Sequence, residues 1–166
     1  MRVLRRARAW SRAARWSSKA LLQPEYPNGV LRKEGSLRCL VQTQLAQVQS
    51  LIEKSDLGDL SLPAHYAILR DYAHAAGFRL TLVDSSGGVR FDSNVGADSL
   101  LRMENHRDRP EIRQALRDGM GRQRRLSTTL NQPFYYGALR LKLDYLPQTA
   151  GETARYIRIA YPLAEI

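Results

Sequence analysis

The segment of residues 84–130 constrains the fold of this 166-residue chain most strongly, because it holds a hairpin signal, a helix start and a polar strand in succession. An alternating apolar and polar pattern ends at Asp84 and resumes at Val89, with Gly87 and Gly88 between the two parts. Glycines in that place supply the positive φ that a tight turn needs, so this part predicts a β-hairpin.

A short helix is expected after the hairpin and a polar loop. Asp108 lies three residues before Glu111, and Pro110 stands in the first turn, which is the pattern of a capped helix start. The residues expected to face inward from this helix are Ile112, Ala115 and Leu116.

The remaining elements complete an α+β pattern. A helix is predicted at 36–54 and a second one from Pro63 to a left-handed stop at Gly77. The order of two helices, two strands, a short helix and three strands favours the α+β class. The last three strands are expected at about 123–130, 134–145 and 155–161.

The first helix carries one apolar face, with spacings of four, four, three and four residues. Two uses of this face fit the pattern: packing on a sheet, which we favour, or a short coiled-coil seam. The seam would make the expected partner a second copy of the chain, in a homodimer. The residues of the face are Leu37, Val41, Leu45, Val48 and Ile52.

Positive charge is concentrated at the N-terminus. Residues 1–33 hold nine Lys and Arg against Glu25 alone, a net charge of +8, whereas the remaining 17 basic and 15 acidic residues leave +2. We therefore divide the chain into a basic arm and linker at 1–35 and a folded domain at 36–166. The arm fits an organellar transit peptide, a segment for phosphates or anionic lipid, or a start placed upstream of the real coding frame.

Other features narrow the function class. Cys39 has no cysteine partner, so neither a disulfide nor a zinc cluster is expected, and we predict no metal and no cofactor. No run approaches the roughly 18 apolar residues of a membrane-spanning helix, so the chain as it stands is expected to be soluble.

A family resemblance rests on several short motifs in the 36–166 part. They are Asp84-x-x-Gly87, Asp92-Ser93, Met103-Glu104-Asn105-His106, Arg109-Pro110-Glu111, Ala115-Leu116, Thr129-Leu130, Tyr136 and Arg158-x-Ala160-x-Pro162-Leu163. This set resembles the extracytoplasmic sensor region of bacterial phosphate-regulon-type sensor histidine kinases.

The resemblance implies a PAS/Cache-like fold, in which a long N-terminal helix backs an antiparallel sheet of about five strands. It also implies a stimulus-sensing domain of a two-component receptor, on the periplasmic face of the bacterial inner membrane. The membrane spans and kinase core expected in the complete receptor are not found in this sequence, so we predict that this chain is not an enzyme.

Two polar clusters are candidate ligand sites. Asn105, His106 and Arg109 lie beside the expected helix start and suit a small carboxylate or phosphate-like anion. The competing interpretation is structural, with Asn105 and His106 satisfying loop backbone and Arg109 pairing with Glu104 or Glu111. The second cluster is a basic, hydroxyl-rich strip that could line a ligand pocket or contact anionic lipid headgroups, or could simply be the solvated face of a strand: Arg122, Arg124, Arg125, Ser127, Thr128 and Thr129. From these clusters and the helix start, Glu111, Arg125 and Ser127 are also assigned to the ligand site.

A rival function comes from the basic arm. It predicts a small nucleic-acid or organelle-targeted binding protein whose affinity falls steeply with salt. We favour no nucleic acid as partner, because the arm shows no aromatic stacking pattern among its charges and the rest of the chain is nearly neutral. The sequence does not name the stimulus.

Overall fold

A computed structural model describes residues 34–54, 63–127, 131–141 and 154–163. The basic arm, and with it each interpretation of residues 1–33, lies outside these residues. The elements are α1 (Glu34–Lys54), α2 (Pro63–Ala75), β1 (Arg79–Asp84), β2 (Val89–Asp92), α3 (Ala97–Leu100), α4 (Pro110–Asp118), β3 (Met120–Ser127), β4 (Gln132–Arg140) and β5 (Ala154–Pro162).

The five strands form one sheet in the order β2-β1-β5-β4-β3, and every neighbouring pair is antiparallel. The C-terminal strand β5 therefore lies in the centre, between the first hairpin and the last one. This architecture confirms the predicted fold class, a PAS/Cache-like α+β domain with a long N-terminal helix. Among the described residues, we find no helix with the length and apolar character needed to cross a bilayer.

One face of the sheet, here called the helix face, packs against α1 and α2. Alternate strand residues point to opposite faces, so Ile157 and Ile159 of β5 lie on this side. Gly137 of β4 faces Val41 and Leu45 so closely that a Cβ atom at this position would collide with the Val41 side chain. The absence of a side chain there lets α1 approach the sheet directly.

The five residues proposed as a dimer seam lie in this core. Val41, Leu45 and Val48 are fully buried, and Leu37 and Ile52 are nearly so. The structure thus shows the sheet packing that we favoured for the apolar face, within one chain. A homodimer stays a prediction, and it would need other residues of α1 than these.

The β1–β2 turn is built around the carboxylate of Asp84. Its Oδ1 accepts hydrogen bonds from the backbone of Ser86 and Gly88, and its Oδ2 accepts one from Arg90. Burial acts to raise the pKa of Asp84, but a hydrogen bond from the Ser86 hydroxyl, the two backbone hydrogen bonds and the charge of Arg90 outweigh it and hold the pKa below its ordinary value. Gly87 has φ 91°, as predicted for the hairpin turn.

The other face of the sheet, here called the cavity face, carries α4 and the connection that precedes it. Ile112 and Ala115 of α4 pack on Val83, Ala138 and Tyr156. A Cβ atom at residue 121 of β3 would collide with the Glu111 carbonyl, so a glycine is required where α4 crosses β3.

Several sequence expectations need correction here. Arg109, not Asp108, is the N-cap of α4, and no side chain caps it. Leu116 is 52 % exposed and does not face inward as expected. Residues 97–100 of the expected loop form α3. β3 starts at Met120, about three residues earlier than predicted, and β4 starts at Gln132; the predicted ends of both strands, at 130 and 145, lie outside the described residues.

Candidate functional site

A cavity of about 670 Å³ opens on the cavity face, between the sheet and residues 94–109. This volume lies within the roughly 300–1,000 Å³ typical of small-molecule sites. Its wall combines cationic and aromatic side chains from the sheet with polar groups from the loop. The residues that matter most for its chemistry are Arg79, His106, Arg109, Arg125, Tyr136 and Arg158.

A buried ion cluster stands at one side of the cavity. Glu111 of α4 is completely buried, and its Oε1 accepts a hydrogen bond of 2.7 Å from Nε of Arg158. The guanidinium of Arg125 lies 3.7 Å from the same oxygen. One carboxylate therefore faces two arginines, and the cluster carries an excess of one positive charge.

This cluster is incompletely paired. Glu111 Oε2 and Arg125 Nε are buried and have no hydrogen-bond partner among the described residues. The Arg158 side chain is only 6 % exposed, and burial lowers its pKa from the ordinary value, although Glu111 opposes that change. Arginine nevertheless stays charged in proteins, so this is a desolvated cation at the edge of a cavity.

Tyr136 fixes the geometry of both arginines. The guanidinium carbon of Arg125 lies 4.2 Å from the centre of its ring, and that of Arg158 lies 4.5 Å from it. Because β4 lies between β3 and β5, the ring stands between one arginine from each neighbouring strand. Cation–π attraction and Glu111 together hold the two guanidinium groups in place.

The loop side of the cavity is ordered by Asn105 and His106. Asn105 Nδ2 donates to the Ser86 carbonyl at 3.0 Å, and its Oδ1 accepts from the backbone of Arg107. The His106 backbone N–H donates to the Gly87 carbonyl, and its Nδ1 lies 2.8 Å from the Glu104 carbonyl. The β1–β2 turn and the loop are thus fastened together.

His106 is buried at the cavity wall in a cationic environment. Burial lowers the pKa of its imidazole, and the positive charges of Arg158 and Arg109 act in the same direction. Glu111 and the hydrogen bond to Glu104 oppose this effect without cancelling it. The imidazole is therefore more difficult to protonate than a histidine in water.

The other two arginines at the cavity are paired. Arg109 Nη2 donates to Glu104 at 2.8 Å, and Arg79 Nε donates to the buried carboxylate of Asp92 at 2.9 Å. Glu104 is 83 % exposed, so its pair with Arg109 is a solvated one. Neither pair adds net charge to the cavity.

Apolar groups form the rest of the wall. The rings of Phe134 and Tyr136 stack with centres 5.9 Å apart, and Ala160 packs beside them. Pro162 lines the same side of the cavity. The arrangement suits a ligand that is anionic at one end and apolar at the other.

The six ligand-site residues predicted from the sequence have different positions relative to the cavity. His106, Arg109, Arg125 and Ser127 line the cavity. Asn105 lies behind it in a backbone-fastening role, and Glu111 is the counter-ion of the arginines. The structural contacts considered for Asn105, His106 and the Arg109–Glu104 pair are present, while ligand binding by these residues stays a prediction.

Sequence reasoning did not assign Arg158 or Tyr136 to the site. Arg158 could have been predicted from the sequence, because it is a charged residue within the otherwise apolar strand Tyr156-Ile157-Arg158-Ile159-Ala160. A charge in a central buried strand needs a partner or a ligand. Tyr136 belongs to the motifs of the family resemblance, but its residue type did not mark it, since an aromatic residue in a strand is ordinary packing.

The described residues show no metal centre: no group of three or more His, Cys, Asp or Glu in this part of the chain is placed to hold an ion. His74, at the cavity wall, has its Nε2 3.0 Å from the Ser93 carbonyl. The guanidinium groups that line the cavity can form charge-assisted hydrogen bonds.

Comparison with known proteins gives only weak structural similarity. No family model and no curated protein matches the chain. Among solved structures, the chain is similar to the ligand-binding domain of the Pseudomonas aeruginosa PAO1 amino acid chemoreceptor PctC in complex with GABA, with a TM-score of 0.36 and 14 % sequence identity. The match covers 78 % of this chain and 61 % of that chain, so it spans less than two thirds of the chemoreceptor domain.

Proposed function

We propose that this chain is a ligand-binding sensor domain whose cavity binds a small molecule. The observation that carries this proposal is the desolvated, incompletely paired Glu111–Arg158–Arg125 cluster at the wall of a cavity of about 670 Å³. Burying charges costs several kcal/mol per ion unless they are well paired. A cluster that serves stability alone would gain from complete pairing, whereas a binding site benefits from donors left available.

The position of the motif residues supports the proposal. Residues 103–106 and 109–111 carry the most specific part of the family resemblance, and they form the loop and helix start that close the cavity. Asn105 and His106 fasten this loop to the β1–β2 turn. The residues shared with the resembled sensors therefore build the proposed binding site.

The sheet offers a route from the cavity to the N-terminal helix. Arg158 lies on the cavity face of β5, and its neighbours Ile157 and Ile159 pack into the core that contains α1. We propose that ligand binding at Arg158 moves β5 relative to α1. Such a movement signals only if the two arrangements differ in their affinity for the ligand.

The type of receptor to which this domain would belong is inferred from the family resemblance. We propose that the complete receptor is a two-component sensor histidine kinase of the phosphate-regulon type, with this domain on the extracytoplasmic side of the bacterial inner membrane. An antibody against the purified chain tests this in fractionated source cells. A membrane-bound band much larger than 18.9 kDa supports a receptor, and a soluble band at 18.9 kDa contradicts it.

The binding proposal is tested by thermal unfolding of the full chain with a panel of neutral and charged small molecules. A ligand that binds the native state raises Tm in a saturable manner. Ala160→Leu, which adds volume at the cavity wall, should abolish the rise, and Ala46→Leu on the exposed side of α1 should keep it. The proposal fails if no compound shifts Tm, or if Ala160→Leu responds as the unmodified chain does.

A further inference from the structure

From the charge balance of the cavity, we infer that its ligand is a small organic acid with one carboxylate and an apolar remainder. This inference rests on the proposed sensor function and names the ligand class of the same site. The carboxylate is placed at Arg125 and Arg158, and the apolar part against Phe134, Ala160 and Pro162.

The charged groups at the cavity do not balance. Four arginines face three carboxylates, which leaves one positive charge without a counter-ion. A monoanion neutralises this excess, whereas a dianion would replace it by a negative one. The groups counted are Arg79 with Asp92, Arg109 with Glu104, and Arg125 and Arg158 with Glu111.

The excess charge is located at the Arg125–Arg158 pair. Glu111 accepts a hydrogen bond from Nε of Arg158, and Nε–H is one of the five N–H donors of a guanidinium. Arg125 makes a long ion contact of 3.7 Å to Glu111 and lies over the Tyr136 ring, and its buried Nε has no hydrogen-bond partner among the described residues. A carboxylate is the acceptor that a guanidinium binds in a bidentate manner, so the pair offers it a pre-formed site.

The apolar wall explains why the ligand is an organic acid and not a bare ion. Phe134 and Tyr136 stack in line with Ala160, next to the two guanidinium groups. An inorganic ion at the arginines would leave this surface in contact with water. An apolar remainder on the ligand would instead bury this surface, which is favourable.

Isothermal titration calorimetry on the full chain tests the inference with three kinds of probe. Butyrate and benzoate are monoanions with an apolar part, butyramide and benzamide are their neutral counterparts, and succinate and inorganic phosphate are anions that can carry two charges. We expect at least one of the two monocarboxylates to bind, and its amide to bind about tenfold to hundredfold more weakly, because a charge-assisted hydrogen bond is lost.

Arg125→Gln is the decisive variant, because it removes the excess charge and leaves the Arg158–Glu111 hydrogen bond in place. It should weaken monocarboxylate binding by about tenfold or more. Arg124→Gln is its matched control: Arg124 is the exposed neighbour on β3, outside the cavity lining. It removes the same charge and should leave the affinity unchanged.

Glu111→Gln increases the excess positive charge of the cavity instead of removing it. Its amide oxygen still accepts from Arg158, but the excess charge rises from one to two, so succinate and phosphate should gain affinity relative to the monocarboxylates. Thermal unfolding of each variant verifies that it is folded.

Four results would overturn the inference: no binding of either monocarboxylate, equal affinity for acid and amide, tighter binding of succinate or phosphate than of both monocarboxylates by the unmodified chain, or an Arg125→Gln variant that binds normally. A neutral compound whose binding is lost in Ala160→Leu would overturn the ligand class while leaving the sensor function in place.

Discussion

The two faces of the sheet are made by the same strands but have opposite character. On the helix face, apolar side chains of β1 and β5 meet α1 and α2 in a continuous buried core. On the cavity face, the alternate residues of those strands include Arg79 and Arg158, and a cavity remains beside them. In β5 the change occurs between adjacent residues, from Ile157 to Arg158.

This difference indicates that the two faces of the sheet have different roles in the domain. The helix face gains stability from removing apolar surface from water. On the cavity face, desolvated charges reduce stability unless they are well paired, and such charges in a cleft mark a candidate functional site. Substitutions on the helix face should therefore change folding, and those on the cavity face should change ligand binding and respond to ionic conditions.

The largest expected effect follows a charge placed on the helix face. Val41→Glu buries a carboxylate against Gly137 and Leu45 and should cost several kcal/mol, enough to unfold a domain of ordinary stability. Gln42→Glu, at an exposed neighbouring position of α1, is the matched control and should change stability by less than about 0.5 kcal/mol.

Denaturant unfolding together with light scattering distinguishes core packing from the dimer seam. A Val41→Glu variant that unfolds agrees with the helix-face core. A variant that stays folded but falls from dimer to monomer would show instead that this face is a seam between two chains, and the comparison of the faces would then be wrong.

A smaller effect is expected when the central carboxylate of the cavity face is removed. Glu111→Ala leaves Arg158 buried without its counter-ion and should reduce the free energy of unfolding by about 3–5 kcal/mol. Glu104→Ala breaks an ion pair with Arg109 whose carboxylate is exposed, and should cost about 0–1 kcal/mol.

Chemical denaturation of both variants at low and high salt provides the measurement. Added salt should recover part of the Glu111→Ala loss, because it screens the repulsion between Arg125 and Arg158. Equal losses in the two variants would mean that the buried cluster is no more important than a surface pair.

The sequence predicted the helix face better than the cavity face, for a physical reason. Periodic apolar residues report burial directly, so α1 and its inward residues were assigned correctly. The hairpin turn was also readable, because Gly87 needs a positive φ. These features depend on residues close together in the chain.

The cavity depends on residues far apart in the chain. Arg125, Tyr136 and Arg158 meet only because β4 pairs with both β3 and β5, and local patterns do not show this order. The sequence did identify Arg125 and His106 as polar candidates, but it gave no reason to join them to Arg158. Leu116 shows the limit of periodicity, since it follows the buried Ala115 on α4 and is nevertheless 52 % exposed.

The smallest expected effect is a pH dependence centred on His106. Burial and the nearby arginines hold the pKa of its imidazole below the ordinary value of about 6.5. The unfolded chain therefore binds more protons than the folded one between these two pKa values. Stability from this group is fully present above pH of about 6.5 and is lost as the pH falls through the lower, folded-state pKa.

Urea unfolding across the mildly acidic range, compared with His106→Gln, measures this effect, and an NMR titration of the His106 ring gives the folded-state pKa directly. The glutamine variant should show a shallower loss of stability on acidification, because it has no proton to gain on unfolding. A bound carboxylate at Arg158 should offset part of the field that disfavours the imidazolium, and so raise the His106 pKa. If His106 titrates above its ordinary pKa without ligand, the cavity face does not have the cationic field on which the contrast between the two faces depends.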